Sequence, residues 1–151
     1  MYKILVYVML VFSTSLMAGG IQWAKDYQSG MKMAKAQNKP VMFIVSRDTC
    51  KYCILLDRTT LKDNKVVKAL DRDFIAIRSW LNEGDYVPED LYAPGLPTIW
   101  FLLPDGTPMY QPLMGMVEAQ DFVEALAVVK TEFDTLKKGK KKNDFYRYEK
   151  K

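Results

Sequence analysis

Two cysteines spaced by two residues, Cys50-Lys51-Tyr52-Cys53, follow the apolar run Val41 to Val45 and precede the helical apolar density of Ile54, Leu55, Leu56 and Leu61. A continuous apolar run of this length reads as a central strand covered on both faces. The polar stretch Ser46-Arg47-Asp48-Thr49 reads as a turn, so the cysteines fall where a strand feeds a helix. At i and i+3 on a first helical turn both sulfurs lie on one face, close enough to form a disulfide with little backbone movement. Cys50 would meet the unpaired N–H groups and the macrodipole at the helix start, a setting that favours a thiolate. That makes Cys50 the expected nucleophile, and Cys53, one turn deeper, the thiol that resolves the mixed disulfide.

Composition removes most other chemistries. A chain of 151 residues, 49% hydrophobic and 26% charged, builds one ordinary core. With no histidine there is no imidazole base and no imidazole metal ligand, which excludes serine-type triads, papain-like catalysis and most zinc enzymes. Two cysteines are too few for a disulfide-stapled scaffold. The net charge of +4 is concentrated at one end. Residues 137–151 hold eight Lys/Arg against two Asp/Glu, leaving the rest of the chain at −2. A basic tail on a slightly acidic globule gives no ground for a nucleic-acid partner. The tail, residues 138–151, reads as a solvated terminus, with peripheral contact to an anionic membrane surface as the alternative.

Residues 1–20 differ from the remainder. Lys3 precedes an uncharged apolar stretch from Ile4, followed by small residues at Ser13, Ser15, Ala18 and Gly20. The apolar stretch is shorter than the ~20 residues of a spanning helix, so it reads as a signal peptide, with an uncleaved anchor as the alternative. Either reading places the globule outside the cytoplasm, where disulfides form and persist.

From Ile21 the spacing of Trp23, Tyr27, Met31 and Ala34 predicts a helix ending before Pro40. After the cysteine helix, Asp63-Asn64 opens another through Val66, Val67 and Leu70, and Phe74 to Ile77 reads as the next strand. The acidic stretch Leu81 to Gly95 holds one helical turn at Pro88 to Leu91. Thr98 to Leu103 is a third strand, Pro104-Asp105-Gly106-Thr107 a hairpin turn, and Met109 to Leu113 an edge strand. A closing helix spans Glu118 to Lys138, with Phe122, Leu126, Val129 and Phe133 on one face. The order α, β, α, β, loop, β, β, α describes a central mixed sheet of four to five strands flanked by helices.

Pro97 stands at the entry to the third strand, forty-four residues after Cys53. With the CxxC helix start and the Leu96-Pro97-Thr98 loop together, residues 21–137 resemble the thioredoxin superfamily, and most closely its exported bacterial members that handle disulfides in the periplasm, which implies a periplasmic location. The resemblance implies an α/β thioredoxin-like fold, a cis bond before Pro97, and a Leu96 backbone that receives an extended substrate. It implies thiol-disulfide exchange by Cys50 and Cys53 with cysteine-containing proteins, a membrane redox partner, no cofactor, and a reductase or isomerase direction. Two departures stand out. Thioredoxin itself has Trp before the first cysteine and Gly-Pro between the pair, where this chain has Thr49 and Lys51-Tyr52. Thioredoxin's buried Asp in the preceding strand is matched here by Ile44, with Asp48 and Glu83 or Asp85 as surface substitutes. Lys51 and Tyr52 are the expected tuning residues, Lys51 by favouring the thiolate beside it.

Other readings compete. A closed, redox-inactive pair would leave a binding module that holds an extended chain beside Pro97. Two thiolates also suit Cu(I), with Met109, Met114 and Met116 as soft neighbours, although methionine more often fills core gaps. Trp80, Tyr86 and Tyr92 are candidate groove walls, while Trp100, inside a strand, reads as core.

Overall fold

The computed structural model describes residues 19–148, with side chains to residue 139; the expected signal segment therefore lies almost wholly outside the described residues. Four helices, α1 (Tyr27–Gln37), α2 (Lys51–Arg58), α3 (Asn64–Asp73) and α4 (Ala119–Tyr148), accompany four strands, β1 (Val41–Ser46), β2 (Ile75–Trp80), β3 (Thr98–Leu102) and β4 (Leu113–Met114). The strands form one sheet in the order β2-β1-β3-β4, β1 running parallel to β2 and antiparallel to β3. A parallel β1-α-β2 crossover followed by an antiparallel return puts helices on both faces, the architecture expected from the residue pattern.

Strand β1 is buried at all six positions, which is why its sequence shows no alternation. One core layer gathers Met42, Ile44, Leu56, Leu70, Phe101, Phe122 and Leu126 beneath α3 and α4. The opposite layer sets Met31 and Ala34 of α1 against Val41, Phe43, Ile77 and Trp100. Trp100 is core, its indole N–H donating to the Leu91 carbonyl at 2.9 Å.

The largest departures from the sequence expectation are three, and β2 also runs on to Trp80 rather than ending at Ile77. Helix α1 starts at Tyr27, because Asp26 and Ser29 close a capping box, and Trp23 instead bridges Ala76 along the outer edge of β2. Continuous pairing at the far edge is limited to Leu113–Met114 rather than Met109 to Leu113. Pro108 still bridges Leu102, but the four residues between Pro108 and Leu113 then oppose the two between Leu102 and Ile99, so the edge carries two extra residues. Helix α4 runs past Lys138 to Tyr148, so the basic stretch begins inside it. The single turn expected near Pro88 forms as a 3₁₀ turn at Glu89–Leu91.

Candidate functional site

The site is built where β1 ends. Ser46 is the last strand residue, not the first turn residue its polarity suggested, and it is 2% exposed. The chain then turns through Arg47, Asp48 and Thr49, with the Cys50 N–H donating to the Arg47 carbonyl at 3.2 Å. The Asn82 side chain braces this turn by accepting the Asp48 N–H at 3.1 Å. Cys50 is the N-cap of α2, its Sγ accepting the Cys53 N–H at 3.2 Å. A sulfur thus fills the acceptor position that Ser or Asp fills in most helix caps.

Both thiols are free, Cys50 half-buried and Cys53 only 1% exposed. Burial is the largest influence on the Cys53 thiol and pushes its pKa up, and its bond to Cys50 adds to the rise. The Ser46 hydroxyl and the Arg47 backbone pull the other way. None of Asp48, Glu83 or Asp85 is among the groups acting on Cys53. Asp85 instead accepts the Trp80 N–H at 2.9 Å.

Register brings Pro97 to the same end of the sheet. Val45 pairs with Thr98, so the start of β3 lies beside the end of β1, one residue from the cysteine turn. The Leu96–Pro97 peptide is cis, and Pro97 is buried. Gly115 donates to the Pro97 carbonyl at 2.8 Å, tying the loop to β4. Among the described residues no group bonds the N–H or C=O of Leu96. An extended peptide laid along this loop would find both backbone groups available.

The remaining sequence candidates separate. Lys51 and Tyr52 are exposed on the first turn of α2, Tyr52 at 54%. Trp80 stacks under Arg78 at 4.9 Å and Tyr86 leans on Tyr27 with ring centroids 5.5 Å apart. Tyr92 stays exposed in the loop that leads to Pro97. Met109 and Met116 pack against the core while Met114 is exposed. Ser46 and Asn82 were missed. A serine ending an apolar run reads as a turn former, and an Asn thirty-four residues from Asp48 carries no local signal.

Residues 27–130 match the family model of the thioredoxin-like domain. The chain belongs to that family. An 80-residue stretch is 30% identical to anterior gradient protein 2 of Xenopus laevis, covering 48% of this chain and 43% of that protein. A similar stretch of 81 residues is 27% identical to anterior gradient protein 3 of Mus musculus, covering 49% of it. The chain thus spans just under half the length of these curated relatives. Among solved structures, a thioredoxin from Thermus thermophilus superposes with TM-score 0.62 at 24% identity, over 73% of this chain and 87% of that one. The C-terminal domain of DsbD from Neisseria meningitidis, in its oxidised form, gives 0.51 at 27% identity, over 64% and 86%. The matched residues contain all four strands and the CxxC pair at the start of α2.

Proposed function

We propose that this chain is an exported thiol-disulfide oxidoreductase that exchanges disulfides with cysteine-containing proteins, working in the reductase or isomerase direction. One observation carries the reading: an accessible sulfur caps α2, a second is buried one turn deeper, and a loop with a free backbone begins the adjacent strand. Cys50 attacks a client disulfide, forming a mixed disulfide and releasing one client thiol. Cys53 then attacks Cys50, closing the intramolecular disulfide and freeing the second client sulfur. Leu96 and Pro97 hold the client strand during both steps, and Lys51 and Tyr52 border the attacking sulfur. A reductant must reopen the pair, and outside the cytoplasm that role falls to a membrane redox partner. The apolar N-terminal segment supports export.

Insulin reduction by dithiothreitol tests the reading. The chain accelerates it, Cys50→Ser abolishes the acceleration, and Cys53→Ser accumulates mixed disulfides with clients. A pair with a reduction potential below about −300 mV and no turnover would instead be a structural bridge, and the reading would fall.

A further inference from the structure

We propose that the basic end of α4 is a docking element for an anionic membrane surface, seating the domain against lipid headgroups through charge. The inference goes beyond the exchange reading and does not depend on it. Helix α4 spans Ala119–Tyr148, but only its first half is held by the domain. Phe122, Leu126, Val129 and Phe133 fill the core at 3% exposure or less, and Phe133 is the last buried residue of α4 among the described side chains. Leu136, next in that spacing, is 39% exposed, and Lys138 and Gly139 are exposed as well. The helical backbone nevertheless continues fifteen residues past Phe133, about 22 Å by the α-helical rise.

What this overhang carries is charge. Residues 137–148 hold five lysines and Arg147 against Asp144 alone, while the chain before residue 137 has a net charge of −2. Its own sequence gives the overhang little support in water. Lys137 and Lys138 are followed at three and four residues by Lys140, Lys141 and Lys142, spacings at which like charges repel along a helix, and Gly139 is a weak helix former. Asp134, the acid that precedes the lysines, is paired with Lys130. The helix macrodipole offsets part of the repulsion, since cations are favoured near a helix C-terminus. A surface of fixed negative charge relieves what remains, and does so for all the lysines at once.

Lipid headgroups suit this charge better than other polyanions do. Phe145, Tyr146 and Tyr148 follow the lysines, and cations joined to aromatic residues are the composition of helices that lie in the headgroup region. A membrane presents its charge as a plane, which the overhang can meet while the slightly acidic domain stays clear of it. A nucleic-acid partner would call for a basic patch on the domain itself, and the net charge there has the opposite sign. Among the described residues no helix is long and apolar enough to cross a membrane, so the contact made by α4 is peripheral.

Co-sedimentation of the full chain with lipid vesicles tests the assignment. The chain is expected to prefer phosphatidylcholine vesicles containing about a third phosphatidylglycerol over pure phosphatidylcholine, and to lose that preference as salt is raised toward about 0.5 M. The pure phosphatidylcholine arm measures whatever the apolar N-terminal segment contributes by itself. Combining Lys140→Gln, Lys141→Gln and Lys142→Gln should lower partitioning onto the anionic vesicles about a hundredfold, and Arg at the same three positions should retain it. Both triple variants should keep the parent melting temperature, since the substitutions lie beyond the last buried residue of α4. Equal binding to the two kinds of vesicle, or an anionic preference that survives the triple Gln substitution, would overturn the proposal. Tighter binding to single-stranded DNA than to the anionic vesicles at equal phosphate would overturn it too, in favour of a nucleic-acid partner.

Discussion

Arg78 is the least expected residue of the sheet. Its guanidinium pairs with Asp57 of α2 through two contacts, at 2.6 and 3.2 Å, and lies 4.2 Å from the Trp23 ring and 4.9 Å from that of Trp80. Its side chain is 14% exposed against 30% for Asp57, and its Nε is buried with no partner. Removing one member of such a pair leaves a poorly solvated charge. Asp57→Asn is therefore expected to lower stability in urea by about 1 to 2 kcal/mol, a figure reduced from the fully buried case because the carboxylate is partly wet. Arg78→Lys should lose a similar amount, since an ammonium neither forks onto the carboxylate nor lies flat between two indoles. Equal stability of all three proteins in urea melts would show the pair to be idle. None of this was legible in the sequence. The cysteines announced themselves through spacing, which geometry converts directly into a shared helix face, whereas Asp57 and Arg78 lie 21 residues apart on different elements and meet only in the folded chain. Ser46 was hidden for a related reason: its polarity signalled a turn, and burial at the end of β1 overrode that signal.

At the scale of elements, helix α1 reaches the sheet through Gly30. A Cβ built there would overlap Cγ1 and Cδ1 of Ile77 and touch Ala24 at 3.0 Å. Ile77 is fully buried, so it has little room to retreat. Gly30→Ala gains about 1 kcal/mol of helix propensity but overpacks the interface by about 1 to 3 kcal/mol, and the net expectation is a lower melting temperature. Combining it with Ile77→Val should recover part of the loss, and strict additivity in the double-mutant cycle would contradict the contact. Where an element's boundary follows from its own residues, the sequence revealed it. Pro40 ends α1's neighbourhood and Asp63 caps α3 by accepting from Lys65 and Val66. Where a boundary is imposed from outside, periodicity misled. Trp23 and Tyr27 have helical spacing, yet Trp23 is held by Arg78 and by a bridge to β2, so its place in the pattern is coincidental. The edge strand shows the same limit, because Pro108 and Pro112 each lack the N–H that continuous pairing with β3 requires.

For the whole molecule, the buried thiol couples redox state to stability. In the reduced chain the folded state holds the Cys53 proton more tightly than the unfolded state, because burial raises its pKa. Between the two values the folded state binds more protons, so stability falls as pH rises. The contribution is fully present below the ordinary thiol value of about 8.5 and is lost as pH rises through the folded value, at about 1.4 kcal/mol for each unit separating them. Tyr27 is also raised by its burial and has the same sign, so raw alkaline melts mix the two. Comparison with Cys53→Ala cancels the tyrosine, which titrates in both proteins. The urea midpoint of the reduced chain should fall relative to that variant above pH 8.5 or so, and the oxidised chain, having no Cys53 proton to lose, should not follow it. Parallel curves for the reduced chain and the variant would mean that Cys53 is solvated rather than buried. The same burial that produces this pH dependence shields Cys53 from partners approaching through solvent, so an external disulfide meets the half-buried Cys50 first.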